Sequence, residues 1–400
     1  MQPQSLYDLA PAVEIAVLGV ALAAVPLGWT WLRKRHAGPA QWLAAVTVLA
    51  LYLTFDLVLV GAFTRLTDSG LGCPDWPGCY GNSSPLGALP QIRVEEARLP
   101  TGPVTHGKAW IEMIHRYLAT GAGALVAALA AATWLQRKRG LPVSPLWPAI
   151  TLAGFCVQGA FGALTVTMKL FPAIVTLHLL GAMALLALLC VQAVAYRQAE
   201  RGSGAATIPA PLRHGLVAAY ALLWLQIALG GWVSTNYAVL ACNTFPTCQG
   251  QWWPAMDFSQ GFELWRALGK TGAGDHVTFA ALTAIHYAHR LMAYAVFLVL
   301  GVLAWQLRQT ALRRAAKWLA LLLGWQFLSG LSNVVLGWPL VAAVAHTAGA
   351  AGLVVALTWA LRESRSERVA VPKAQRREPA ASAARPPEGA HAEVRRSEAS

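Results

Sequence analysis

The sequence predicts an all-α polytopic membrane protein with two pseudo-symmetric four-helix transmembrane bundles and one extra N-terminal transmembrane helix. Two observations predict this fold class. The 400 residues are 56% apolar and only 12% charged, a composition too apolar for a single soluble core. In addition, motifs of the first half of the chain return in the same order in the second half, which indicates a duplicated module.

Nine apolar stretches are long enough to cross a bilayer, which takes roughly 20 helical residues. The first, at 13–32, is predicted to be a retained helix, because no basic residue precedes it and no small-residue cleavage site follows it. The other eight stretches are 42–63, 109–135, 146–168, 173–196, 215–236, 280–305, 317–338 and 340–361.

Lys and Arg residues gather in the loops on one side of this nine-helix arrangement. These basic clusters lie at 33–35, 137–139, 197–213 and 308–317. Short cytoplasmic loops retain positive charge, so this side is predicted to be cytoplasmic. Topology and attraction to anionic membrane lipids then account for the net charge of +13, and no nucleic-acid partner is expected. The polar, Pro- and Ala-rich tail at 363–400, with His391, is predicted to be disordered.

The predicted organisation is an extra helix at 1–41, a first module at 42–200, a second module at 201–362, and the tail. Each module holds an even number of spans, so an axis along the membrane normal should relate the two copies as a parallel repeat. The first copy reads GAFTRLTDSGLGCPDWPGCYG from Gly61, and the second reads GGWVSTNYAVLACNTFPTCQG from Gly230. Further positions in register are Gln158 with Gln326, Gly162 with Gly330, and Gly181 with Gly349.

Each module carries two intramembrane histidines, on its second and fourth helices. His115 corresponds to His289, and His178 corresponds to His346. In an up-and-down bundle these helices are diagonal neighbours across the core, where bundles build cofactor sites. Two imidazoles that face each other at one depth can ligate one iron axially. We therefore expect up to two hemes, one per module, near the outer leaflet; for any single histidine, a helix-to-helix hydrogen bond is the alternative.

Each second-helix histidine is followed by an arginine, Arg116 or Arg290. A guanidinium group can pair with a heme propionate, although simple snorkelling to the headgroups is the alternative. One helical turn earlier, the first copy has Glu112 where the second has His286. A carboxylate beside a heme edge can accept or relay protons, so the difference suggests a division of labour. The alternative for Glu112 is an ion pair with Arg116.

The six cysteines are of two kinds. Cys156 and Cys190 lie inside helices and are predicted to be small apolar filler. The loop cysteines are predicted to pair as Cys73 with Cys79 and Cys242 with Cys248, on the side where disulfides persist. A redox-active role for these pairs, or a zinc site built from all four thiolates, is the alternative. The histidines predicted to be solvated are His36, His106, His214 and His276.

The motifs TRLTDSGLGCPDWPGC, EMIHR and LHLLGA, with HYAHR and AHTAGA in the second copy, resemble the heme A synthase family of respiratory-oxidase assembly over about 42–361. The resemblance implies oxidation of the C8 methyl of heme O to a formyl group by successive hydroxylations, giving heme A for cytochrome c oxidase. It also implies that His115 and His178 face the substrate heme with Glu112 essential nearby. His289 and His346 would ligate a resident heme b.

The family also implies a bacterial inner membrane location, with the cysteine loops on the periplasmic side. Heme O, and with it heme O synthase, are the expected partners; the electron donor and a homo-oligomeric state stay open.

The chain departs from the family pattern at two places. The helix at 13–32 is additional to the family's eight-helix plan, and Asp68 stands where a small residue is expected. Methyl oxidation needs an oxidant that side chains cannot supply. The alternatives are a noncatalytic heme carrier or assembly factor, a quinone-linked cytochrome b, and a disulfide-exchange protein.

Overall fold

The computed structural model describes residues 9–141, 143–201 and 204–366. In this part of the chain the α-helices are, in order, α1 (Ala10–Lys34), α2 (Pro39–Leu66), α3 (Leu89–Arg98), α4 (His106–Lys138), α5 (Leu146–Thr167), α6 (Pro172–Arg201), α7 (Ala210–Thr235), α8 (Phe258–Gly261), α9 (Phe279–Leu307), α10 (Arg313–Val335) and α11 (Leu340–Arg362). All but α3 and α8 are long and apolar enough to cross a membrane. The nine predicted spans are confirmed, with ends that differ by a few residues.

The all-α polytopic class is therefore confirmed, with one small exception among the described residues. Strand β1 (Ala206–Ile208) pairs in parallel with β2 (Ser364–Ser366). Because β2 lies inside the segment 363–400 that was expected to be disordered, that prediction is wrong for these three residues. The rest of the tail, including His391, lies outside the described residues.

The long helices pack as two rings of four. In the first ring α2 and α5 each contact both α4 and α6, so α4 and α6 lie on a diagonal. In the second ring α7 and α10 each contact both α9 and α11, so α9 and α11 lie on a diagonal. The two rings meet where α6 packs against α11 and α7, and where α11 packs against α2.

Helix α1 packs outside the first ring, along α4. Small residues make this close approach possible: a Cβ atom at Gly19 would lie 2.5 Å from Thr120 Cγ2. Near its N-terminal end α1 also reaches the first cysteine loop, where the Ser83 hydroxyl donates a hydrogen bond to the Glu14 carboxylate. The extra helix therefore braces one module and not the other.

Unusual backbone conformations recur in register in the two modules. The residues with positive φ include the matched pairs Asp68 and Tyr237, Tyr80 and Gln249, Gly81 and Gly250, Lys169 and Gly337, and Leu170 and Trp338. The first pair is in direct contact, because the Tyr237 hydroxyl donates to Asp68 Oδ1 at 2.6 Å. Matched residues that touch are expected beside a two-fold axis. The parallel repeat stays a prediction, and these observations support it.

The apolar core lies towards the end of the rings that carries the arginine-rich loops. In the second ring, buried leucines from three helices form this layer, among them Leu300, Leu307, Leu319 and Leu357. The intramembrane histidines lie at the opposite end, below the cysteine loops. Close packing is thus concentrated in one half of each bundle, and the polar side chains occupy the other half.

Candidate functional site

The structure brings the four intramembrane histidines together in the predicted pairs. His115 on α4 and His178 on α6 are on the diagonal of the first ring, and His289 on α9 and His346 on α11 are on that of the second. All four side chains keep accessible surface although they lie inside a bundle, as expected of side chains that line a pocket.

Glycines on the first helix of each module make room for the second-helix histidines. A Cβ atom at Gly61 on α2 would lie 3.0 Å from His115 Nε2, and one at Gly230 on α7 would lie 2.9 Å from His289 Cε1. Both distances are shorter than an ordinary van der Waals contact of about 3.5 Å. Any larger residue would push the imidazole away from its place.

The third helix of each module does the same for the fourth-helix histidines. A Cβ atom at Gly162 on α5 would lie 3.4 Å from His178 Cε1, and one at Gly330 on α10 would lie 3.1 Å from His346 Cε1. Each of the four imidazoles therefore lies against a glycine of a neighbouring helix. This arrangement fits two flat cofactors, each held between a pair of imidazoles.

The ring nitrogens also fit a metal-binding role. His178 Nδ1 and His289 Nδ1 are buried without a hydrogen-bond partner among the described residues, which is costly in an apolar environment unless a ligand compensates. His346 Nδ1 lies 3.0 Å from Ser329 Oγ. The amide nitrogen of Gln326, in the orientation that satisfies both of its polar atoms, also lies 2.9 Å from this Nδ1. With the Nδ1 proton donated to Ser329, Nε2 would be available to a metal, and both neighbours fix the orientation of the ring. The residues present thus fit a heme between the histidines of each pair.

Glutamines hold the backbone of both fourth helices beside the histidines. Gln158 Nε2 donates to the carbonyl of His178 at 2.6 Å. When the side-chain amide of Gln326 is oriented so that both its oxygen and its nitrogen form hydrogen bonds, the nitrogen donates to the carbonyl of His346 at 3.0 Å. The second module adds Gln226, whose amide donates to the carbonyl of His289 at 3.2 Å.

The four loop cysteines form two disulfides, Cys73–Cys79 and Cys242–Cys248. The predicted pairing is confirmed, and a four-thiolate zinc site is ruled out because every thiol is used. Of the helical cysteines, Cys190 is buried as expected of filler, whereas Cys156 is exposed. The prediction that Cys156 fills space inside the bundle is therefore wrong, because its side chain lies on the outside of the bundle.

The four histidines predicted to be solvated are all exposed.

Glu112 and Arg116 fasten the first disulfide loop to α4. Arg116 Nη2 lies 2.5 Å from Glu112 Oε1, and the backbone N–H of Cys73 donates to Glu112 Oε2 at 2.9 Å. Arg116 also donates to the carbonyls of Asp75 and Pro77. The Glu112 side chain is only about 4% exposed. Glu112 is thus ion-paired with Arg116, the alternative considered above, and Arg116 is engaged by the loop.

The second disulfide loop is attached to α9 in the same way, except that a histidine takes the place of the carboxylate. Arg290 donates to the carbonyls of Thr244, Thr247 and Cys242 at 2.7, 2.8 and 3.2 Å. The backbone N–H of Cys242 donates to His286 Nδ1 at 3.4 Å, where the first loop uses a carboxylate. Arg290 has no carboxylate partner among the described residues. Pairing of Arg116 or Arg290 with propionates stays a prediction.

Sequence reasoning missed a buried arginine in the long loop between α7 and α9 of the second module. Arg266 is 2% exposed and donates to Asn236 Oδ1 at 2.6 Å and to the carbonyl of Lys270 at 3.1 Å. Burial lowers its pKa from the ordinary value. A lone arginine in a long polar loop carries no signal that separates it from a solvated residue.

The fold and the site together define a multi-pass membrane protein with a histidine pair in each of two bundles and a disulfide loop above each pair. Residues 41–358 match the model of the COX15-CtaA family of cytochrome oxidase assembly proteins, and the chain belongs to this family. The match begins after α1 and covers both modules.

Several relatives with the name heme A synthase are similar to the chain along most of its length. The one from Shewanella oneidensis is 37% identical over 319 residues, which cover 79% of this chain and 94% of the relative. The relative from Caulobacter sp. strain K31 is 31% identical and covers 83% of this chain and 99% of its own. The one from Rhizorhabdus wittichii is 28% identical, with 80% and 92% covered. The resemblance noted in the motifs is confirmed.

Proposed function

We propose that the protein acts in heme A biosynthesis as a membrane oxidoreductase. It oxidises the C8 methyl of heme O to a formyl group by successive hydroxylations, and the product is heme A for cytochrome c oxidase. The observation that carries this proposal is the pair of imidazoles on the diagonal of each ring, in a chain of this family. When bound, heme supplies the redox chemistry that side chains lack.

We assign the substrate heme O to the His115 and His178 pocket and a resident heme b to the His289 and His346 pocket. In the second pocket Ser329 orients the His346 ring, whereas Phe161 stands at the corresponding position of α5 and has no hydroxyl. A resident cofactor benefits from a fixed ligand. A substrate must leave after it is oxidised, so less fixed ligands suit the first pocket.

The charges of the two loop attachments support the same assignment. In the first module the carboxylate of Glu112 neutralises Arg116. In the second module His286 replaces that carboxylate, and Arg290 keeps its positive charge beside carbonyl oxygens. A buried positive charge favours a nearby anionic group, and the propionates of a permanently bound heme would provide one.

Glu112 is the residue that we propose to accept or transfer a proton at the first pocket. Arg116 and the N–H of Cys73 each hold one of its two oxygens, so the carboxylate is positioned and screened from water. These contacts exclude free rotation of the side chain. Because Cys73 belongs to the first disulfide loop, these contacts also tie the position of the carboxylate to that loop.

The test is expression of the full chain with and without a supply of heme O, followed by mass analysis of extracted pigments. The proposal expects hydroxylated and formylated porphyrin only when heme O is supplied. Glu112→Gln should abolish the formyl product and leave the heme content nearly intact. His289→Ala should lose the resident heme, whereas the matched control His276→Ala, an exposed loop histidine, should behave as wild type.

A noncatalytic heme carrier or assembly factor is the second candidate, and one observation favours it. Both oxygens of Glu112 are engaged in holding the loop, a role that requires no chemistry. An unchanged yield of heme A in Glu112→Gln would support the carrier and contradict the enzyme. Heme O synthase is the proposed supplier of the substrate under either function.

A further inference from the structure

The end of the bundle opposite the disulfide loops, here called the basic face, has a cavity of about 310 Å³ at the seam between the two modules. We propose that this cavity binds the phosphate headgroup of an anionic phospholipid. The residues of its wall that matter here are Arg197, Arg201, Arg313, Arg314, Trp359 and Glu363. They come from α6 of the first module and from α10, α11 and the following turn of the second.

The charge of the wall is the first argument. Four guanidinium groups face one carboxylate, so these residues give a formal net charge of +3. Within the described residues none of the four arginines makes an ion pair or a side-chain hydrogen bond, whereas Arg116 and Arg290 at the other end are fully engaged. Retention of positive charge in short loops explains arginines on this side. It does not explain why four of them converge on one cavity from both modules.

The start of α10 is the second argument. The backbone N–H groups of Arg314 and Ala315 have no acceptor among the described residues, and Leu312 before the helix offers no side-chain cap. Unpaired amides and the positive end of the helix dipole attract anions. Arg313 and Arg314 are positive residues at that positive end, an unfavourable arrangement. A phosphate bound in the cavity, whose wall includes Arg313 and Arg314, would offset this charge at the start of the helix.

The surroundings of the cavity favour a lipid over a free anion. Trp359 on its wall is a residue type that prefers the interface between membrane and water. Trp318 and Leu321, four and seven residues after Arg314, continue the same side of α10 and are 54% and 61% exposed. Acyl chains of a lipid whose phosphate lies in the cavity would cover this exposed apolar stripe.

The test measures lipid binding to the purified full chain by native mass spectrometry, with phosphatidylglycerol and phosphatidylcholine as probes. The cavity variant carries Arg313→Gln and Arg314→Gln. The matched control carries Arg137→Gln and Arg139→Gln, which remove the same charge from the exposed C-terminal end of α4 on the same side. We expect the cavity variant to bind phosphatidylglycerol roughly 30-fold more weakly. The control, and the binding of phosphatidylcholine, should change less than about twofold.

Two further variants keep the result independent of folding. If the first cavity variant fails to fold, Arg197→Gln with Arg201→Gln removes charge from the α6 side and should weaken phosphatidylglycerol binding in the same way. Glu363→Gln removes the single carboxylate and should tighten it. Tightening in one variant and weakening in the others cannot result from general destabilisation.

The outcomes that would overturn the proposal are specific. Equal loss in the cavity and control variants would show that only surface charge matters. Unchanged binding in both cavity variants would show that the lipid binds elsewhere. Displacement of phosphatidylglycerol by millimolar inorganic phosphate, with the same dependence on Arg313 and Arg314, would assign the cavity to a free anion. Retention of the lipid in phosphate would support the proposal.

Discussion

Replacing Gly230 by alanine should displace the imidazole of His289 and weaken heme binding in the second module. The new Cβ atom would lie 2.9 Å from His289 Cε1, and an ordinary carbon contact is about 3.5 to 4.0 Å. The ring must therefore move by roughly 0.6 to 1.1 Å, which exceeds the tolerance of about 0.2 Å for a metal–ligand distance. Overpacking of this kind costs about 1 to 3 kcal/mol. If that cost falls on the heme-bound state, affinity drops roughly 5- to 150-fold.

The assay is titration of heme into the purified protein, followed by the absorption spectrum of the bound pigment. Gly215→Ala on the same helix is the matched control, because its Cβ would meet Leu303 Cδ1 at 3.8 Å, an ordinary contact. Gly215→Ala should retain heme, and Gly230→Ala should lose it or show altered ligation. A Gly230→Ala protein with full heme content and an unchanged spectrum would refute the assignment of His289 as an iron ligand held against α7.

Two further predictions test the second module. Ser329→Ala removes one of the two groups beside His346 Nδ1, the other being the Gln326 amide, and should weaken heme retention about 10-fold, measured by heme loss to a scavenger. Ser332→Ala, whose hydroxyl donates to the Leu328 carbonyl of its own helix, should not. Cys242→Ser opens a disulfide that spans a sequence separation of 6, which should lower the free energy of unfolding by about 2 kcal/mol. A thermal melt that shows no difference between Cys242→Ser and Cys156→Ser would contradict this estimate.

The nine spans could be predicted because the apolar length needed to cross a bilayer is a property of the chain itself. The histidine pairs could be predicted because the duplicated motifs place His115 and His289, and His178 and His346, at matching depths on alternate helices. The partners of the two arginines could not be predicted in the same way. Their acceptors are backbone carbonyl groups of the loops, and every residue carries such a group. Which carbonyls point towards a guanidinium group depends on the folded conformation of the loop. The pairing of β1 with β2 joins two three-residue strands far apart in sequence, too short to leave a local pattern.

The position of the histidine pairs explains why the loops next to them have several attachments to the helices. Close packing is a main source of stability, and in each bundle it is concentrated in the leucine-rich half, away from the histidines. That half therefore stabilises one end of the bundle only. At the other end each loop is closed by a disulfide and tied to the second helix by Arg116 or Arg290. The first module adds α1 along α4, and the second adds buried Arg266. These additional contacts differ between the modules because they lie outside the duplicated core. Inside the core, the histidines and the glycines that contact them are the same in both copies.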